Sequence, residues 1–267
     1  MKNILLLVHD DPGQEARFQT ALDITRALEG HLTCVDVVQI PALIGDGFSG
    51  AGEAMLLADE RSREAENSVA LKARLGREDV AWDWIDATGD IAQCVLEAAG
   101  TADLIVLNRR LDGTSLIEMD NIVAAVAMKA RRPVVAVPDR ATHFNANGRA
   151  FIAWDGSQSV FSTLQACLPL LALASAVHIF AVIDGAEGLP AQQAASYLSR
   201  HRIHASIEIV TDGLTAPDKL IAERSAKWHA DYCLMGAFHH GRALEAVFGG
   251  VSRRMLKESA LPLILGH

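Results

Sequence analysis

Three places in this chain bring together residue types that could hold a phosphorylated ligand. The first is Asp155-Gly156-Ser157, directly after the apolar run "RAFIAW". The second is the end of "AVHIFAVID", where Val182 stands just before Ile183 and Asp184. The third is "GAFHHGRALEAVFGGVS", which opens at Gly236 and closes on Gly249, Gly250 and Ser252. An aspartate after a strand can accept hydrogen bonds from a base amine or a ribose hydroxyl, and backbone near Val182 can line the face of a base. Glycines ahead of a helix leave N–H groups free to point at a phosphate, helped by the helix dipole. A Cβ at those positions would hold the phosphate off, and φ is free to be positive. Ser252 can cap the helix or reach a phosphate oxygen, and Arg242, Arg253 and Arg254 place positive charge nearby. Each feature also has a plainer reading. Asp-Gly-Ser is an ordinary turn and helix cap, the glycine pair a break between helices, and the arginines solvated surface groups. The spacing is neither the Walker pattern, since no GK[ST] follows, nor GxGxxG.

These residues need elements to hold them, and the chain supplies the same set twice. The first pass runs through "NILLLV", the helical "EARFQTALDITRALEG" with a glycine stop at Gly30, "HLTCVDVV", a long segment ending in the helical "EAENSVALKARLG", "VAWDWID", "IAQCVLEAAG", "ADLIVLN", "NIVAAVAMKA" and "RPVVAVP". The second runs through "RAFIAW", "FSTLQACLPLLALA" (helical despite Pro169), "AVHIFAVID", "AQQAASYLSRH", "ASIEIVTDG", "PDKLIAERSAKWHA", "DYCLMGA", "SRRMLKES" and "LPLILG". Both alternate strand and helix four times and finish on a strand. A polar join, "DRATHFNANGR", separates residues 1–140 from residues 149–267. Strands written as continuous apolar runs and separated by helices predict two tandem doubly wound α/β domains, each a five-stranded parallel sheet with helices on both faces. In such sheets ligands bind beyond the carboxyl ends of the strands, where the strand order reverses. The three places above all lie there.

Composition narrows the classes. The chain has 267 residues, half of them hydrophobic, with 33 acidic residues against 24 Lys plus Arg and a formal charge of −9. That balance argues against a nucleic-acid binder. Cys34, Cys94, Cys167 and Cys233 are scattered in apolar runs without CxxC spacing, as buried thiols of a reducing compartment are. The apolar run of "MKNILLLVHDD" is too short for a signal sequence or a membrane span. A cytoplasmic protein with no membrane partner is expected. No GxSxG elbow and no activated cysteine is present. His239-His240 lacks the further ligands zinc needs, and His9, His178, His229 and His267 show no ligand spacing, so no metal is expected.

In its order of elements the chain resembles a tandem universal stress protein, two copies of that family's domain in one chain. The resemblance is sharpest at "FIAWDGS" and at "LMGAFHHGRALEAVFGGVSRRMLKESALPLIL". It implies an adenine nucleotide alpha hydrolase-like fold, a stress-response role, and ATP or ADP as ligand. Nucleotide-binding members carry Gly-x2-Gly-x9-Gly-Ser/Thr after the fourth strand. Gly236 and Gly249 match the first and third glycines, His239 stands for the second, and Gly250 replaces the hydroxyl residue. The implied site is therefore Asp155, Val182, Gly236, His239, Gly249, Gly250 and Ser252. His239 brings a ring where close backbone approach is expected, and Gly250 loses a hydroxyl hydrogen bond of roughly 0.5–1.5 kcal/mol.

Pro133 and Pro262 stand at the same place in the two passes, an offset of 129 residues, which sets Asp120 opposite Gly249, Asn121 opposite Gly250, Arg110 opposite His239 and Leu107 opposite Gly236. No glycine of the motif survives there, and a carboxylate would repel phosphate. The first half is expected to bind no nucleotide. Three functions stay open: a binding or regulatory protein holding ATP without fast turnover, an interaction scaffold with unidentified protein partners and no ligand, and a slow ATP hydrolase using the same pocket. A hydrolase needs a positioned base or water-orienting group, for which Glu245 is merely nearby. Single-domain members of the resembled family dimerise through their last strand. The two halves are therefore expected to form an internal pseudo-dimer, with Val134–Val137 beside residues 261–265. Residues 39–60 mix apolar side chains with glycines and are expected to cover the other half or to bind a second copy of the chain in a homodimer.

Overall fold

The computed structural model describes residues 1–40, 50–109, 119–182, 188–211, 215–237 and 250–267. The first half runs β1 (Asn3–Val8), α1 (Gln14–Ala27), β2 (His31–Gln39), α2 (Gly50–Leu75), β3 (Ala81–Gly89), α3 (Ile91–Ala98), β4 (Leu104–Asn108), α4 (Met119–Lys129) and β5 (Val134–Val137). The second runs β6 (Arg149–Trp154), α5 (Gln158–Ala166), α6 (Leu168–Leu171), β7 (Ala176–Val182), α7 (Ala191–Arg200), β8 (Ala205–Val210), α8 (Pro217–Lys227), β9 (Tyr232–Gly236), α9 (Gly250–Glu258) and β10 (Leu263–Gly266).

The ten strands of the described residues form one sheet in the order β3-β2-β1-β4-β5-β10-β9-β6-β7-β8. Within each half the described neighbours pair in parallel. The halves join antiparallel through their last strands, with Leu263 opposite Ala136, Ile264 opposite Val135 and Leu265 opposite Val134. This is the internal pairing that the resemblance implies, and it removes two exposed edges that would otherwise template association.

Strand alternation sorts the core into two layers. Ile4, Leu6 and Val8 face the layer that contains Phe18 and Leu22 of α1, Leu71 and Leu75 of α2, Val160 of α5 and Leu198 of α7. Leu5 and Leu7 face the layer of Ile91 and Val95 from α3, Val123 and Val126 from α4, Leu220 from α8 and Met255 from α9. Burying each such side chain stabilises the fold by roughly 1.5–3 kcal/mol. All four cysteines are free and buried. Burial pushes the Cys167 and Cys233 thiols up to about 12, so neither is a thiolate near neutrality.

The structure refines two local readings. The run around Pro169 is two helices, because Cys167 ends α5 and Pro169 sits in the first turn of α6, where its missing N–H costs nothing. At the end of α1 the left-handed residue is Glu29, with φ 47°, rather than Gly30. Gly30 is needed for a different reason: a Cβ there would lie 2.6 Å from the Lys2 carbonyl oxygen.

Candidate functional site

The strand order reverses at β1/β4 in the first half and at β6/β9 in the second. At the second of these places β6 ends in a tight turn. The Ser157 N–H donates to Asp155 Oδ1 at 2.9 Å, and the Val160 N–H donates to Ser157 Oγ at 3.2 Å, so Ser157 caps α5. The plainer reading of Asp-Gly-Ser, turn and cap, therefore describes what these groups do locally. The turn also leaves Asp155 exposed at the mouth of a cleft.

That cleft has a volume of about 300 Å³, and its walls include Trp154, Asp155, Val182, Leu189 and Ile209, from the ends of β6, β7 and β8 and the start of α7. Gly156, at φ +74°, makes its floor. A Cβ on Gly156 would lie 2.9 Å from the Leu189 nitrogen and 3.0 Å from Gly188 Cα, so two glycines let two backbones touch. The contact is fastened by the Leu189 N–H donating to the Gly156 carbonyl at 2.9 Å and the Trp154 indole donating to the Leu189 carbonyl at 2.7 Å.

Asp155 and Val182 thus meet at one cleft. Gly236 has a different neighbourhood. It ends β9, and a Cβ there would meet Ser159 Oγ at 2.6 Å and the Val160 nitrogen at 2.9 Å, so its glycine admits α5 against the sheet. Gly250 is the first residue of α9. Ser252 is the third, buried within the first turn, so it does not occupy the capping position. Arg254 donates to Asp218 at 2.6 Å, an ion pair tying α9 to α8 rather than a free phosphate ligand, and Arg253 is exposed. His239 and Gly249, with Arg242 and Glu245, lie outside the described residues.

The equivalent place in the first half is built otherwise. Ile4 pairs with Leu32 and Leu104 as Ala150 pairs with Val177 and Tyr232, so Val8 and Asp36 correspond to Trp154 and Ala181, and His9 to Asp155. Charged side chains fill the space. Arg17, fully buried, donates to the Leu7 carbonyl at 2.7 Å, the His9 carbonyl at 2.6 Å, Asp11 Oδ1 at 2.8 Å and the Asn108 side chain. His9 Nδ1 lies 2.8 Å from Glu64 Oε1, 3.1 Å from the Val37 carbonyl and 3.9 Å from Glu60 Oε1. The Asp10 N–H and the Asn67 amide also donate to Glu64. Burial alone would lower the His9 pKa; the hydrogen bond and charge of Glu64 outweigh it and hold it above the ordinary value. Asp36, also buried, is pushed up to about 7, by burial first and then by the charge of Glu64. Neither Arg17 nor the meeting of His9 with Glu60 and Glu64 is announced by motif spacing. The only sequence signal is the i, i+4 pair of glutamates on one helix face.

No protein-family model and no curated protein matches the chain. Solved structures do. A universal stress protein from Archaeoglobus fulgidus DSM 4304 superposes with a TM-score of 0.74 at 17% identity, over 99% of this chain and 97% of that one. A putative universal stress protein from Pseudomonas aeruginosa UCBPP-PA14 superposes with a TM-score of 0.58 at 15% identity, over 100% of this chain and 93% of that one. The superpositions cover both halves, so this chain has, over nearly its whole length, the fold of these universal stress proteins.

Proposed function

We propose that the protein is a stress-response binding or regulatory protein that holds one adenine nucleotide, ATP or ADP, in its second half. The observation that carries this reading is the cleft at the ends of β6, β7 and β8. There an exposed aspartate, the end of β7 at Val182 and the side chains of Leu189 and Ile209 line one cleft at the mouth of a doubly wound sheet. Asp155 would receive the base or ribose, Val182 and Ile209 would flank the base, and residues 236–252 would approach the phosphates through backbone N–H groups. Asp155 is offered as a hydrogen-bond acceptor and as no more than that. Binding is preferred to hydrolysis because the sequence marks no positioned base for water, Glu245 being merely nearby.

The first half serves as partner domain. His9, Arg17 and Asp36 are buried where the second half is open, and a nucleotide would have to displace paired charges to enter.

A second reading, an interaction scaffold with no nucleotide, is favoured by His239 and Gly250, which depart from the resembled phosphate-loop pattern. One experiment separates the two. Protein purified without added nucleotide is denatured and filtered, and the released nucleotide is identified by chromatography and counted per chain. About one ATP or ADP per chain, lost in Gly249→Asp, supports binding; slow ADP formation by the loaded protein would identify the hydrolase. No nucleotide, together with no thermal shift at millimolar ATP, overturns the proposal in favour of the scaffold. Two nucleotides per chain would overturn the assignment of the first half.

A further inference from the structure

The strand-end crevice of the first half gathers more acid than base. Glu60, Glu64 and Ser68 follow one another at i, i+4 and i+8 on α2, so they share the helix face that carries Leu71 and Leu75 toward the sheet. That face brings Glu64 and Glu60 to His9. α2 has 26 residues against the 10 of α7, and its additional turns reach over the strand ends. Arg17 is taken by Asp11, and Arg63 by Glu60 and Asp10. Glu64 and Asp36 are left with no guanidinium of their own among these pairs.

The nitrogen of His9 and one oxygen each from Glu60 and Glu64 all lie within 4.8 Å of one another. Ions of the zinc type bind imidazole nitrogen at about 2.0–2.1 Å and carboxylate oxygen at about 2.0–2.2 Å, which sets ligand atoms of a tetrahedral shell about 3.3 Å apart. The observed separations, 2.8 Å to Glu64 and 3.9 Å to Glu60, bracket that value. A second, independent feature points the same way. Asp36 is 5% exposed and its Oδ1 has no hydrogen-bond partner. It sits on the α2-facing side of β2, like Cys34, and α2 carries Glu64 and Ser68 on its sheet-facing side. A buried carboxylate oxygen without a partner is costly unless a cation or donor reaches it.

We propose that His9, Glu60 and Glu64 form a binding site for a divalent transition-metal ion of the zinc class, with Asp36 as the buried carboxylate beside it. One imidazole and two carboxylates suit such an ion better than calcium or magnesium, which take oxygen ligands throughout. Ligation replaces the proton that His9 Nδ1 shares with Glu64, and that proton leaves to solvent. The ion would tie the end of β1 to α2 in the half where no nucleotide is expected. The site is independent of the nucleotide reading, since none of its residues lies in the second half.

The test uses the full chain, stripped with a chelator and titrated with Co²⁺, read by calorimetry and by ligand-field absorption. The expected result is one Co²⁺ per chain with the spectrum of a mixed nitrogen and oxygen site, displaced by Zn²⁺. His9→Gln abolishes it. Glu60→Gln, at the most exposed of the three positions and so the best tolerated by the fold, weakens it by more than the roughly 10–100-fold that loss of an outer partner costs. His204→Gln, on the exposed surface of the other half, leaves it unchanged. Circular dichroism establishes that each variant is folded. No stoichiometric Co²⁺ uptake by the native chain overturns the proposal. So does uptake that persists unchanged in folded Glu60→Gln, which would place the ion on other histidines.

Discussion

Gly156→Ala tests whether the cleft is built as the structure has it. Gly156 lies at φ +74°, where a Cβ costs about 1–2 kcal/mol. The added carbon would also lie 2.9 Å from the Leu189 nitrogen and 3.0 Å from Gly188 Cα and the Leu189 carbonyl oxygen. These are backbone atoms that cannot swing aside, so relief requires moving a chain segment, at about 1–3 kcal/mol. The loss of unfolded-chain entropy on going from Gly to Ala returns roughly 0.4–1 kcal/mol. The expected destabilisation is about 1–4.6 kcal/mol, a fall in Tm of about 2–18 °C for a domain of this size. Gly100→Ala is the matched control, because nothing lies within 4 Å of its Cβ position. It should melt within about 0.5 kcal/mol of the parent or slightly above it. The assay is calorimetric unfolding of the three proteins side by side. The Trp154 indole reports the same event locally: moving Leu189 removes the acceptor of its N–H and changes its fluorescence. If Gly156→Ala melts with Gly100→Ala, the glycine-to-glycine contact is not what shapes the cleft, and the reasoning from it fails. If it melts as expected and nucleotide per chain also falls, the contact is tied to the ligand.

Arg17→Ala should destabilise the protein by about 3–5 kcal/mol, because it leaves Asp11, Asn108 and two main-chain carbonyls without their shared donor; urea unfolding measures this, and a loss under about 1 kcal/mol would refute the buried network. His178 stacks on Trp228 with ring centroids 5.1 Å apart, and burial, only partly offset by Glu208, holds its pKa below the ordinary 6.5. The unfolded chain then binds the proton more readily, so stability is full above about pH 6.5 and falls as pH drops toward the folded-state value. His178→Phe keeps the stack and removes the proton site, so its stability relative to the parent should rise between pH 7.5 and 5.5. An unchanged difference between the two proteins across that interval would sink the assignment.

Much of the fold is legible because apolar runs of strand length alternate with amphipathic helices, and because the chain states the pattern twice. The pairing of "VVAV" with "LILG" was expected from the resemblance, and the physical reason fits: two short buried strands need an edge, and each supplies the other's. The cleft residues Asp155 and Val182 were readable for a local reason, since each sits directly after or at the end of a strand. The first-half cluster was not, because its members come from β1, β2, α1 and α2 and meet only once the sheet has formed. Arg17 shows how such a residue hides. At i, i+4 and i+7 it shares a helix face with Ala21 and Ile24, an apolar face on which an arginine must find buried acceptors. The chain offers those acceptors at Leu7, His9, Asp11 and Asn108, all at or just beyond strand ends.

The two halves give opposite answers to the same physical problem. A doubly wound sheet leaves a crevice where its strand order reverses, lined by backbone polar groups that need partners. In the second half the partners are few and small: a glycine turn, an indole N–H on the Leu189 carbonyl, and an aspartate facing outward. The crevice stays open. In the first half Asp36 stands where Ala181 would be, His9 where Asp155 would be, and Arg17 reaches back from α1 to satisfy the carbonyls of Leu7 and His9. Charge has replaced space. Opening the first crevice by Arg17→Ala should therefore not create a second nucleotide site. It would leave Asp11 without its guanidinium, a carboxylate whose charge repels phosphate. The expected readout is unchanged nucleotide stoichiometry in any folded fraction of the variant, and a second nucleotide per chain would show that shape, rather than charge, is what closes the first half.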